Sequence, residues 1–148
     1  MNEEKSPTTE VVETPEVQPI SPAQFLAGLP GAPSAAQLDS WKAQVPNNRI
    51  RLFAPDMKRV YVLRGINGME MANIQKAVPA NAEDKDREVQ LIACERAILW
   101  TNATPNHKMT VQELRTAAAG LPVSLFSIIV ELSDFMDPER IAMLSGDL

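Results

Sequence analysis

Cysteine, histidine, glycine and aromatic side chains are scarce in this chain, and each scarcity closes off a class of protein. There is one cysteine, Cys94, in 148 residues, so no internal disulfide framework can form. There is one histidine, His107, which removes histidine-rich metal centres and leaves any histidine-based catalytic set dependent on a single ring. Six glycines stand against twelve prolines, and aromatic residues make up 5%. No Gly-x-Gly-x-x-Gly fingerprint and no phosphate-binding P-loop occurs among those glycines. No apolar run approaches the roughly 18 residues of a transmembrane helix. The start, Met1-Asn2-Glu3-Glu4-Lys5, is acidic where a secretory signal needs a cationic start and then an apolar stretch. The expectation is a soluble protein of cytoplasmic origin that makes no use of a membrane.

What is present is an ordinary fraction of apolar residues, 45%, with 22% charged. The length suits about one domain and allows a substantial core. The net charge of -5 is unevenly placed. Residues 1–20 carry Glu3, Glu4, Glu10, Glu13 and Glu16 against Lys5, so most of the negative charge belongs to this stretch and the remainder is close to neutral. A near-neutral body lacks the strong attraction to nucleic acid that a basic domain has. Proline-rich and glutamate-rich, the first twenty residues have the composition of a disordered segment. Residues 1–35 are therefore expected to form an extended acidic arm with one short helix at 22–29. Residues 36–148 are expected to form the folded domain.

The start signals of the helices are plain. Ser21-Pro22-Ala23-Gln24 reads as an N-cap, a proline at the first helical position and a capping-box partner. Ser34 with Gln37 begins a second helix, whose Leu38, Trp41 and Val45 share one face before Pro46 stops it. Asn67 with Glu70 opens a third, with Met71, Ile74 and Val78 as its apolar stripe. Acids Glu83, Asp84 and Asp86 open the longest helix, where the helix dipole favours them. That helix is expected to reach Trp100. Thr110 with Glu113 begins a short helix to about Ala119, broken by Gly120-Leu121-Pro122. The almost wholly apolar run Val123 to Leu132 reads as the central core helix. Asp137-Pro138 starts a last short helix carrying Ile141 and Leu144.

Residues 49–64 change period. Two β-rich runs flank Pro55-Asp56-Met57-Lys58 and predict a hairpin. The expected register places Leu52 opposite Tyr61, Ile50 opposite Leu63, Phe53 opposite Val60 and Arg51 opposite Val62. One face of the ribbon then meets a core and the other is mixed. A lone hairpin is marginal in water, so it must lie on helices or join a partner's sheet. The fold class is thus mainly α with one β-hairpin (α+β), a small helical domain behind an acidic, Pro-rich arm.

Reactive groups do not converge in the sequence. Cys94 falls in the apolar half of a helix, as an inert buried thiol does, and His107 falls in a polar loop. No Gly-x-Ser-x-Gly elbow accompanies the histidine. The carboxylates Glu83, Asp84, Asp86 and Glu88 are accounted for by a helix's first turns, and no calcium-loop spacing appears. No catalytic residue, cofactor or metal is expected. Gly65-Ile66-Asn67-Gly68 has the spacing of a nucleotide-gripping Gly-x-x-Gly loop, but it joins a strand to a helix, so a turn with glycine at positive φ is the reading. The hairpin is locally basic through Arg49, Arg51, Lys58, Arg59 and Arg64. Charge on an edge strand discourages edge-to-edge pairing, and the same charge suits an acidic partner or phosphate. The methionines form no stripe and read as gap-fillers, or as adaptable contact surface.

Taken in order, Trp41-Lys42, the hairpin ending Val60 to Ile66, Met69-Glu70, the helix ending Cys94 to Trp100, Ala119 to Pro122, the apolar helix and Leu132-Ser133-Asp134-Phe135 form a pattern. It resembles small tail-assembly proteins of tailed bacteriophages, among them tail-assembly chaperones and the hub or baseplate assembly factors of contractile-tailed phages. The resemblance covers about residues 38–136. It implies a non-enzymatic protein that binds other tail or baseplate proteins, in the host cytoplasm during assembly or retained in the virion. The acidic arm lies outside the resemblance; its composition leads to the expectation that it is ordered on a partner. It supplies no catalytic residue. Trp41, Arg49, Arg51, Arg59, Arg64 and Trp100 are the candidate partner contacts, chosen on physical grounds. The alternative is a small adaptor that binds nucleic acid through the basic hairpin.

Overall fold

A computed structural model describes residues 20–148, which hold seven α-helices and a three-stranded antiparallel sheet. Residues 1–19 of the expected arm lie outside the described residues. The helices are α1 (Pro22–Ala27), α2 (Ala35–Gln44), α3 (Gly68–Ala77), α4 (Lys85–Ala97), α5 (Val111–Thr116), α6 (Gly120–Leu132) and α7 (Pro138–Leu144); the strands are β1 (Ile50–Phe53), β2 (Tyr61–Arg64) and β3 (Ile98–Thr101). The helix starts follow the capping chemistry. Ser21, Ser34, Asn67, Asp84, Thr110 and Asp137 each accept a hydrogen bond from a backbone N–H three residues on, which satisfies one of the donors a helix start leaves open.

The sheet differs from the expected hairpin in two ways. First, the register is shifted by one residue: Leu52 lies opposite Val62, Phe53 opposite Tyr61, Arg51 opposite Leu63 and Ile50 opposite Arg64. The turn is the cause. Asp56 Oδ1 accepts from the N–H groups of both Lys58 and Arg59, at 3.0 and 2.8 Å, and Met57 takes a left-handed φ of 61°. The loop therefore runs through Val60, longer than a simple turn at Pro55–Lys58. A one-residue slip exchanges the faces of a strand, so Phe53, Tyr61 and Leu63 share one face while Leu52 and Val62 share the other. Second, α4 stops at Ala97 and a third strand follows at once. β-branched and aromatic residues in Ile98-Leu99-Trp100-Thr101 suit a strand, and the second edge of β2 offers backbone partners there. β3 pairs with β2 through Tyr61–Thr101, Val62–Trp100 and Leu63–Ile98, with a bulge between Val62 and Leu63. The order is β1-β2-β3, so the hairpin is completed from within the chain.

Both sheet faces are covered. One meets α3 to α6, where Ile74, Leu91, Cys94, Leu114, Leu125, Ile129 and Leu132 are buried with Tyr61 and Leu63. The other carries α1 and α2. There Leu26, 4% exposed, packs with Val60 and Val62, flanked by Leu38, Trp41 and Trp100. The expected mixed face is therefore a second packed layer, to which α1 contributes Leu26. Central β2 is buried from Tyr61 to Leu63 without alternation, as a strand covered on both faces must be.

Smaller differences have local causes. α5 ends at Thr116, and α6 takes Gly120, Leu121 and Pro122 into its first turn, where proline's missing N–H is harmless. Gly65 does not serve as a positive-φ turn; among the described glycines only Gly31 has such a φ. Its role is proximity: a Cβ there would stand 2.5 Å from the carbonyl oxygen of Leu132. The next residue's N–H, on Ile66, donates to Ser133 Oγ at 2.8 Å. The end of β2 is thus joined to the end of α6 with no room for a side chain.

Candidate functional site

The four hairpin arginines do not form a free basic patch. Arg49 donates to the carbonyl oxygen of Glu131 and to Asp134 Oδ1, at 3.2 and 3.3 Å. Arg51 donates to Glu131 Oε1 at 3.0 Å, and Asn47 donates to Asp134 Oδ2 at 2.6 Å. These groups gather at the C-terminal end of α6, where cations also oppose the helix dipole. Arg59 binds Asp56 at 3.0 Å. The Asp56 carboxyl is held down to about 2, chiefly by the Arg59 and Lys58 backbone N–H groups. Arg64 is the most enclosed of the four. It holds both oxygens of Glu70, at 2.9 and 2.7 Å, and donates to the carbonyls of Gly65 and Arg96. That bidentate bond, more than any other influence, holds the Glu70 carboxyl below the usual range. The structure therefore brings Arg49 and Arg51 onto one helix end, places Arg59 at the hairpin loop, and uses Arg64 to tie β2 to α3 and α4.

The two tryptophans pack against one buried cluster, that of Leu26, Val60 and Val62. Trp41 from α2 and Trp100 from β3 belong to the same half-buried cluster on the second sheet face.

Cys94 is fully buried on α4, with Sγ 3.5 Å from the Pro122 carbonyl oxygen. Burial pushes its thiol up to about 12, which removes the thiolate that reactivity requires. His107 is exposed in the loop before α5, with Nε2 2.9 Å from both oxygens of Glu113. Glu113 also accepts from the Thr110 N–H at 3.0 Å, so it closes the N-terminus of α5 as well as holding the ring. Among the described residues no three side chains of His, Cys, Asp or Glu are placed to share a metal ion, and no helix is long and apolar enough to cross a membrane.

What sequence reasoning did not single out is the C-terminal apolar surface. After α6, Asp134 takes a φ of 62° and the chain turns away from the core. Phe135, Met136, Ile141, Met143 and Leu144 are all exposed, and α7 buries no residue. Phe135 borders a hollow of about 500 Å³ together with Pro46, Ile66 and Met71. On the second sheet face, a groove of about 300 Å³ runs between α1, α2 and β1, walled by Ala23, Leu26, Leu38, Ile50 and Leu52, with Lys42 and Arg51 also lining it. The apolar spacing in α7 was visible in the sequence; its exposure was not, because a helix of that pattern ordinarily packs on its own core.

No protein-family model, no curated protein and no solved structure matches this chain.

Proposed function

We propose that the chain is a non-enzymatic morphogenesis protein of a bacteriophage tail or baseplate. It acts in the host cytoplasm by binding other tail proteins, as an assembly chaperone or as a minor structural component kept in the virion. The observation that carries this reading is the exposed apolar surface around Phe135 and Met136, beside the hollow formed with Pro46, Ile66 and Met71. Apolar patches of this kind on a small protein suit contact with another protein, and methionine adapts to irregular partners. The order of short sequence strings over residues 38–136 supports the phage assignment. One of those strings, Cys94 to Trp100, runs from helix into strand.

The enzyme reading lacks a carrying feature, because Cys94 is enclosed and the His107 ring is engaged by the carboxylate that closes α5. The nucleic-acid reading needs cations free to meet phosphate, whereas Arg49, Arg51, Arg59 and Arg64 each hold a carboxylate. Mass spectrometry of purified mature particles and of the infected cells that make them tests the proposal. Stoichiometric presence in particles identifies a structural component. Presence in infected cells and absence from particles identifies an assembly factor. A chain found in neither, or one retained on a DNA column with affinity that falls steeply with salt, refutes it.

A further inference from the structure

We propose that residues 8–14 of this chain pair with the outer edge of β1 as a fourth strand of the sheet, beside the groove between α1, α2 and β1. The edge is the first reason. Asn102 donates its backbone N–H to the Val60 carbonyl oxygen, so Val60 and Val62 turn their backbone groups toward β3. Alternation along the strand then turns those of Tyr61 and Leu63 toward β1, where they meet Phe53 and Arg51. Ile50 and Leu52 therefore aim their N–H and C=O groups away from the sheet. Among the described residues no backbone group bonds to them there. An open strand edge of that kind is a template for another extended segment.

The second reason is where the preceding chain arrives. Ser21, Pro22 and Ala23 line the groove together with Ile50, Arg51 and Leu52 of β1, so residues 1–19 join the described structure at that wall. Residues 15–20 can span about 20 Å when extended, more than the roughly 13 Å of β1, so a segment ending at Thr14 reaches the edge in either direction. Tethering so close gives it a high effective concentration there. The third reason is sequence. Thr8-Thr9-Glu10-Val11-Val12-Glu13-Thr14 has five β-branched residues in seven, which suits a strand. Pro7 and Pro15 bound it, as proline belongs at the limits of a strand. Extended, each side of the run carries one valine and one glutamate, Val11 with Glu13 and Val12 with Glu10. The groove offers Leu26, Leu38 and Leu52 to a valine and Lys42 to a glutamate. Arg51 is held by Glu131, but Lys42 has no carboxylate partner among the described residues. The proposal is independent of the phage reading.

Amide hydrogen exchange of the full chain, read residue by residue by NMR, tests it. In the wild type the Ile50 and Leu52 amides should exchange at least about a hundredfold more slowly than those of an unstructured chain. Val11→Pro with Val12→Pro removes two successive donors, one of which falls on the paired side in either register. That double variant should speed exchange at Ile50 and Leu52 at least about tenfold and leave the amides of α4 and α6 unchanged. Glu3→Pro with Glu4→Pro, the same change outside the segment, should leave Ile50 and Leu52 as they were. Their protection should also be independent of protein concentration, because segment and edge belong to one chain. Unprotected Ile50 and Leu52 amides in the wild type overturn the proposal. So does protection that survives the valine variant, protection that the glutamate variant also removes, or protection that fades on dilution, which would assign the added strand to a second copy.

Discussion

The two faces of the sheet are covered to very different depths. On the α3–α6 side, four helices contribute side chains that are completely enclosed, among them Leu91, Leu114, Leu125 and Ile129. On the α1–α2 side the helices contribute one buried residue, Leu26, and α2 contributes none. Leu38, Trp41 and Trp100 on that side are only partly buried, around the enclosed Val60 and Val62. The thick layer is the stability core. The thin layer covers an otherwise apolar sheet face and leaves a groove along it. Hydrophobic stabilisation scales with apolar area removed from water, so the two layers should respond to substitution with different magnitudes and in different ways.

The largest expected effect lies in the thick layer. Ile129→Ala removes an enclosed side chain between α6 and the sheet and should cost about 4 kcal/mol, transfer and cavity terms together. Denaturant unfolding should give a lower midpoint with an unchanged slope. Gly65→Ala follows, at about 3 kcal/mol, because its methyl group meets the Leu132 carbonyl at 2.5 Å and neither backbone can move freely. Either substitution with an effect below about 1 kcal/mol would break the contrast between the layers.

Third is the Arg64–Glu70 clasp, where both side chains are mostly covered, 18% and 27% exposed. Glu70→Gln should cost about 1–2 kcal/mol near neutral pH. The Glu70 carboxyl is lowered in the folded chain, first by its bond to Arg64. A carboxyl of that kind stabilises the fold above its unfolded pKa and loses the contribution as pH falls through the depressed folded value. The midpoints of wild type and variant should therefore converge in acid, and a constant gap at all pH values would show that the pair contributes nothing through charge.

Sequence and structure agree best where a single side chain decides the outcome locally. The caps at Ser21, Ser34, Asn67, Thr110 and Asp137 each need only a hydroxyl, amide or carboxylate within three residues of a free N–H, and all were legible. What failed was decided at a distance. Ile98 to Thr101 continues a helical apolar pattern, and only the open edge of β2 makes it a strand. The hairpin register is the exception, a local miss: Asp56 accepts from N–H groups two and three residues on and lengthens the loop. Arg49 and Arg51 looked free because their partners Glu131 and Asp134 lie about eighty residues along the chain. The exposure of α7 was hidden for a related reason: periodicity says which face is apolar, but not whether the chain itself covers it.

The smallest effect discriminates best between the layers. Ser34 Oγ accepts from the Gln37 N–H at 3.1 Å and caps α2, and removing such a cap costs about 1 kcal/mol of helix stability. Where that energy appears depends on cooperativity. If α1–α2 unfolds only with the core, Ser34→Ala lowers the global midpoint by the full amount. Because α2 buries no residue, the layer should instead open by itself, as regions with few buried contacts do. Ser34→Ala should then leave the global midpoint within about 0.5 kcal/mol of wild type. Amide hydrogen exchange should meanwhile accelerate about fivefold across α2, the equivalent of about 1 kcal/mol, and stay unchanged in α4 and α6. Equal acceleration in all three helices would mean that the two layers form one cooperative unit despite their unequal burial.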